Sequence, residues 1–199
     1  MIVAARFIGD PRASSRAATA PFAKTFLAAF SWLVVLASTL APVAAAEFTI
    51  KDAQVLGRTL EFVGEGRTGP ASVGVAFSPA VANSRSAAER VHAVIGDGLP
   101  TGRVRLQALL IPVDRLASVS GLDALYVPMD LPDSMSAVTS AAQRMHIPII
   151  SADLTCVQAG HCVVGFASEP TVQIVISRAA ADFVGVRFVP AFRMLVREQ

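Results

Sequence analysis

Cys156 and Cys162 are the only cysteines in the chain and enclose five residues, Val157-Gln158-Ala159-Gly160-His161. Each kind of sulfur chemistry makes its own demand on spacing. A thioredoxin-type redox motif needs two residues between its thiols, and a zinc knuckle two to four. A disulfide tolerates the wider gap, and closing so short a loop contributes about 2 kcal/mol in the chain-entropy model. A structural bridge is therefore the leading expectation. Two alternatives stay open: a bridge that senses redox conditions, and a metal site built from His146, Cys156, His161 and Cys162, against which oxidation would compete.

Other candidate groups are few. Asp153 follows a strand-like run, where open α/β sheets place binding groups, although an aspartate there also caps turns. Arg178 opens a short helical pattern and is placed to meet a carboxylate of a ligand or partner. Arg193 and Arg197 fall one helical turn apart near the C-terminus. These arginines read equally as solvated side chains, and His92 and His146 as ordinary residues of helical patterns. The chain has no Gly-x-Ser-x-Gly nucleophile motif. Gly96-Asp97-Gly98 lacks the lysine and spacing of a phosphate loop. An enzyme is not expected, nor is a metal or organic cofactor.

The first 46 residues read as an export signal. Arg6, Arg12, Arg16 and Lys24, opposed only by Asp10, precede an apolar run from Phe26 to Leu40. Pro42 then breaks the helix, and Ala44-Ala45-Ala46 supplies the small side chains of a cleavage site. Cleavage after Ala46 leaves residues 47–199 as one domain in the periplasm, with no membrane span. An uncleaved anchor over Phe26–Ala46 is the competing reading. The leader carries the basic excess: without it, the 17 basic and 15 acidic residues become 13 and 14. The sequence pI of 8.8 thus belongs largely to the leader, and a near-neutral remainder argues against a nucleic-acid partner.

Along residues 47–199 the apolar period alternates between strand and helix. Asp52 is placed to cap a helix carrying Val55, Leu56, Leu60 and Val63. Val73–Phe77 is a buried-strand pattern, after which Ser78-Pro79 reads as a helix start continuing through Val94. Strand patterns follow at Val104–Ile111 and Leu122–Val127. Asp133 is placed to cap a helix over Ser134–Met145, and Ile147–Ile150 returns as a strand. After the cysteine segment, Val163–Phe166 and Val172–Ile176 read as a hairpin, and Ser177 caps a helix from Arg178 to Val184 ended by Gly185. Val186–Val189 reads as a last strand and Pro190–Arg197 as a terminal helix. Strand–helix–strand units with short connections imply parallel pairing and right-handed crossovers. The expected fold is a single open, Rossmann-like mixed α/β sheet: a parallel core, an antiparallel edge hairpin, and helices on both faces.

Within the C-terminal half, Ile149-Ile150-Ser151-Ala152-Asp153, the cysteine-bounded glycine turn, Val163-Val164-Gly165-Phe166 and Val172–Ala180 resemble the YfiR/HmsC-type periplasmic family. Phe192-Arg193-Met194-Leu195-Val196 matches the place of that family's terminal helix. The resemblance implies a regulator that docks on the periplasmic domain of an inner-membrane sensor, such as a diguanylate cyclase, and restrains it. That reading brings with it an exposed apolar patch and a homodimer. A fainter resemblance, carried by Val73–Pro79 and Gly121–Val127, is to one lobe of type-I periplasmic binding proteins. It implies a small-molecule ligand at the carboxyl ends of the strands.

Overall fold

The computed structural model describes residues 47–128 and 131–199; the leader read over residues 1–46 lies outside the described residues. Helix α1 (Ile50–Leu60) opens on a capping box. The Thr49 hydroxyl accepts the Asp52 amide, and the Asp52 carboxylate accepts the Thr49 amide at 2.7 Å. Asp52 therefore stands at the third helical position rather than at the cap, where a carboxylate reaches back to the chain entering the helix. Ala53, Leu56 and Leu60 form the fully buried stripe of α1.

Strand β1 (Gly69–Phe77) follows, longer than its apolar run. Ser78-Pro79 does not start the next helix. The chain turns there, with Val81 donating to the Ser78 carbonyl and Ser84 to that of Val81, and α2 runs from Ser84 to Ile95. The missed element is β2 (Leu99–Thr101), which pairs antiparallel with β3 (Val104–Pro112) around Gly102. A short 3-10 turn leads to β4 (Ala124–Tyr126). Asp133 lies in a second such turn rather than at the cap, and α3 spans Met135–Met145. Next come β5 (Ile149–Ser151), α4 (Leu154–Gln158), β6 (Val164–Ala167), β7 (Gln173–Ile176) and α5 (Arg178–Val184). The Ser177 cap and the Gly185 stop of α5 match the sequence reading.

Beyond α5 the expected strand is reduced to one bridge between Phe188 and Val63. The terminal helix α6 covers only Pro190–Arg193. Phe192 is held by a stacked contact with Phe62, ring centroids 4.7 Å apart. The outer edge of β7 then recruits Arg197–Glu198 as strand β8. Pairing with an open edge satisfies backbone groups that one more helical turn would leave in water.

The eight strands form one mixed sheet in the order β2-β3-β1-β4-β5-β6-β7-β8. Strands β3, β1, β4, β5 and β6 are all parallel, whereas β2 runs against β3, and β7 runs against β6 but parallel to β8. The parallel core grows from β1 to β3 on one side, and the chain then passes from β3 back across β1 to β4, β5 and β6 on the other. Right-handed crossovers therefore put α2 on one face and α3 and α4 on the other. Accordingly, α2 packs on β1 and β3 with α1 beside it, α3 on β4 and β5, and α4 on β6. Both sheet faces are covered, so Val73, Val75, Leu125 and Ile150 are wholly buried, as the near-continuous apolar runs require. Among the described residues no helix is long and apolar enough to cross a membrane.

Candidate functional site at the carboxyl edge of the sheet

In chain order the parallel core reads second, first, third, fourth, fifth: the doubly wound arrangement that reverses direction between its first and third strands. Here those strands are β1 and β4. The chain leaves their carboxyl ends for helices on opposite faces, and this switch point is where doubly wound sheets form their binding crevice.

Small hydroxyl residues floor this edge. Ser78, directly after β1, donates its backbone N–H to the Ser84 hydroxyl at 3.0 Å, and both serines are buried. Ser151 ends β5; its hydroxyl donates to the Val127 carbonyl at 2.9 Å and accepts the Asp153 amide at 3.1 Å. Ser168, just past β6, is buried as well. Tyr126 closes β4 beneath Phe48, whose ring meets it edge-on at 5.2 Å. Burial raises the Tyr126 phenol far above its ordinary range; the Asp52 charge adds to this and the hydrogen bond with the Ala152 backbone opposes it. Tyr126 is thus a neutral hydrogen-bonding group at every ordinary pH. At the rim, the Arg85 guanidinium lies 5.7 Å from the centre of the Phe77 ring.

The residues singled out in the sequence do not converge. Asp153 stands at this edge, but its carboxylate caps α4, accepting the Thr155 amide at 2.8 Å and the Thr155 hydroxyl at 2.6 Å. Arg178 and Arg193 lie elsewhere, on the far side of β7. Both pair with Glu198, Arg178 at 2.6 Å and Arg193 through two nitrogens. Hydrogen bonds from Arg193 and then Arg178 hold the Glu198 carboxyl down at about 2. Because β7 runs against the core, Arg178 begins at the amino edge, and its amide donates to the Gln199 carbonyl there.

Cys156 and Cys162 form a disulfide with Cα atoms 5.3 Å apart, joining α4 to the entry of β6. That bond leaves no thiolates for the metal alternative. His146 ends α3 at the amino edge, its Nδ1 3.3 Å from the Val184 carbonyl, and His161 is exposed. Among the described residues no three His, Cys, Asp or Glu side chains gather as metal ligands.

Sequence reasoning missed the serine floor and Tyr126. The signal was present in Ser78 and Ser151, each at the end of an apolar strand. Only the strand order brings those ends side by side.

No protein-family model matches this chain, and no curated protein matches its sequence. Solved structures share its fold. A conserved domain protein from Vibrio cholerae O1 biovar El Tor is 16% identical with a TM-score of 0.50, the match covering 75% of this chain and 59% of that one. The ligand-free, open structure of a substrate binding protein with adhesive properties from Clostridium difficile is 15% identical with a TM-score of 0.51, covering 76% and 60%. An ABC domain in complex with L-Trp from Streptococcus pneumoniae, 17% identical over 64% of this chain and 54% of that one, reaches a TM-score of 0.44 and is too distant to bear on the fold. This chain spans less than two-thirds of each of these structures. At such identities the likeness is one of fold, and none of the three is described as a YfiR/HmsC-type regulator.

Proposed function

We propose that the domain is a non-enzymatic small-molecule-binding module of the cell envelope, seating its ligand at the carboxyl edge between β1 and β4. The carrying observation is the reversal of strand order at that point, where doubly wound sheets open their binding crevice. The buried serines, Tyr126 and the Phe77 and Phe48 rings give this edge the mixed polar and apolar floor over which small organic ligands are usually held. Likeness to a substrate binding protein supports the same reading at the level of fold. His146 and His161 lie away from this edge, which favours binding over acid–base chemistry there.

The regulator reading, in which the chain docks on an inner-membrane sensor, rests on the sequence resemblance alone. The reversal of strand order between β1 and β4 supports ligand binding in addition, which is why ligand binding comes first.

A thermal-shift screen with the twenty proteinogenic L-amino acids and simple aromatic acids tests this proposal. A ligand at one hundred times its Kd adds about 2.7 kcal/mol, or roughly 5–11 °C in a domain of this size. Pro79→Trp, at the exposed rim, should abolish the shift while leaving the unliganded melting temperature within about 2 °C. A flat screen would remove the proposal's main support. A hit that Pro79→Trp leaves intact would move binding away from this crevice.

A further inference from the structure

The C-terminal segment carries an apolar projection that neither the core nor the crevice explains. Met194 and Leu195 are adjacent, 81% and 77% exposed, and form the turn between α6 and β8. No other large apolar side chains among the described residues are so open. The turn is nevertheless held from behind: Phe192 is buried against Phe62, and Leu195 donates its amide to the Phe192 carbonyl at 2.9 Å. Arg193, directly before the pair, is tied to Glu198, three residues beyond it. The projection is thus a fixed feature rather than a fraying end.

Charge separates in the same segment. Residues 178–199 hold four arginines, Arg178, Arg187, Arg193 and Arg197, against two acids, Asp182 and Glu198. Residues 47–177 are acidic in balance, with 9 basic and 12 acidic side chains. Glu198 occupies Arg178 and Arg193, while Arg187 and Arg197 are exposed and make no ion pair among the described residues. A protruding apolar pair, in a segment that also carries two exposed arginines without an ion pair, suits a surface that takes side chains into an apolar layer beneath a sheet of negative charge.

We propose that the Met194–Leu195 turn docks the domain on an anionic lipid bilayer, the two side chains entering the headgroup boundary and Arg187 and Arg197 meeting lipid phosphates. A protein partner fits less well, because a convex two-residue projection offers little area for a stable protein interface. The crevice lies at the far side of β5, β6 and β7 from β8, so docking leaves it open. This inference is independent of whether the crevice takes a ligand.

The test places a fluorophore on the projection. Met194→Trp is made in the full chain with Trp32→Phe, so that the new indole reports alone; Leu109→Trp, half-exposed on β3 near the opposite end of the sheet, is the control. Vesicles of phosphatidylethanolamine and phosphatidylglycerol should shift the Met194→Trp emission to the blue and leave Leu109→Trp unchanged. Phosphatidylcholine vesicles should do neither. Adding Arg187→Glu and Arg197→Glu should weaken the vesicle titration by about tenfold or more, with circular dichroism confirming the fold. Absence of a shift overturns the proposal, as does an equal shift at both positions. A shift that follows protein concentration without lipid overturns it in favour of self-association.

Discussion

Glu61 accepts the backbone N–H of Arg103 at 2.7 Å, joining the end of α1 to the turn between β2 and β3 across 42 positions of sequence. The carboxylate also receives the Arg103 guanidinium at 3.3 Å and lies 3.5 Å from Arg58, yet its side chain is only 3% exposed. Burial by itself raises this carboxyl. Hydrogen bonds from Arg103 and the charges of Arg58 and Arg103 outweigh burial and hold it below the ordinary carboxylate range.

Glu61→Ala should therefore destabilise the domain by about 2 kcal/mol, since the Arg103 amide loses a charged partner. The sign with pH follows from the lowered value: the contribution is complete above the unfolded-state range of a glutamate and is lost as pH falls through the lower folded-state value. Urea midpoints from neutral pH into acid should decline less steeply in Glu61→Gln than in the parent. Parallel declines would show that the contact does not titrate with folding.

Gly57 should reverse the usual benefit of replacing a helical glycine. Alanine inside a helix ordinarily gains about 1 kcal/mol. At Gly57, however, a Cβ would stand 1.8 Å from the Thr101 hydroxyl oxygen and 2.4 Å from the Thr101 Cβ. Gly57→Ala should cost about 2 kcal/mol or more, and Thr101→Gly in the same chain should recover part of that. A stabilised Gly57→Ala in chemical denaturation would contradict the close seating of α1 on β2.

Phe48→Ala should leave a cavity over Tyr126 and cost about 3 kcal/mol, although Phe48 precedes the first helix by two residues. A much smaller loss in the urea midpoint would mean that this ring does not cover the sheet. Tyr126→Phe keeps the ring contact and removes only the hydroxyl bonded at Ala152, so its cost should stay near 1 kcal/mol.

Replacing Cys156 and Cys162 together by alanine should lower stability by about 2 kcal/mol. Faster amide exchange should concentrate in α4 and at the entry of β6, because the bond ties those two segments. Exchange rising evenly across the sheet would argue against so local a role.

Within residues 47–199, the elements that sequence alone determined are those whose signals are local. The alternation of helix and strand, the Ser177 and Gly185 limits of α5, and the closure of Cys156 on Cys162 all depend on neighbours a few residues away. Short-range rules also misplaced ends where two of them compete. Ser78 resembles a helix cap, yet the Ser84 hydroxyl takes its amide and α2 starts later. Tertiary structure decided everything that depends on distant pairing. Strand order placed Ser78, Tyr126 and Ser151 along one edge and set Arg178 and Arg193 apart from Asp153. The open side of β7 drew Arg197 and Glu198 into a strand, although helical spacing had carried the terminal helix through Arg197. A strand's partners are chosen by crossover handedness and by which backbone edges remain unsatisfied, and neither is written in the period of its own side chains.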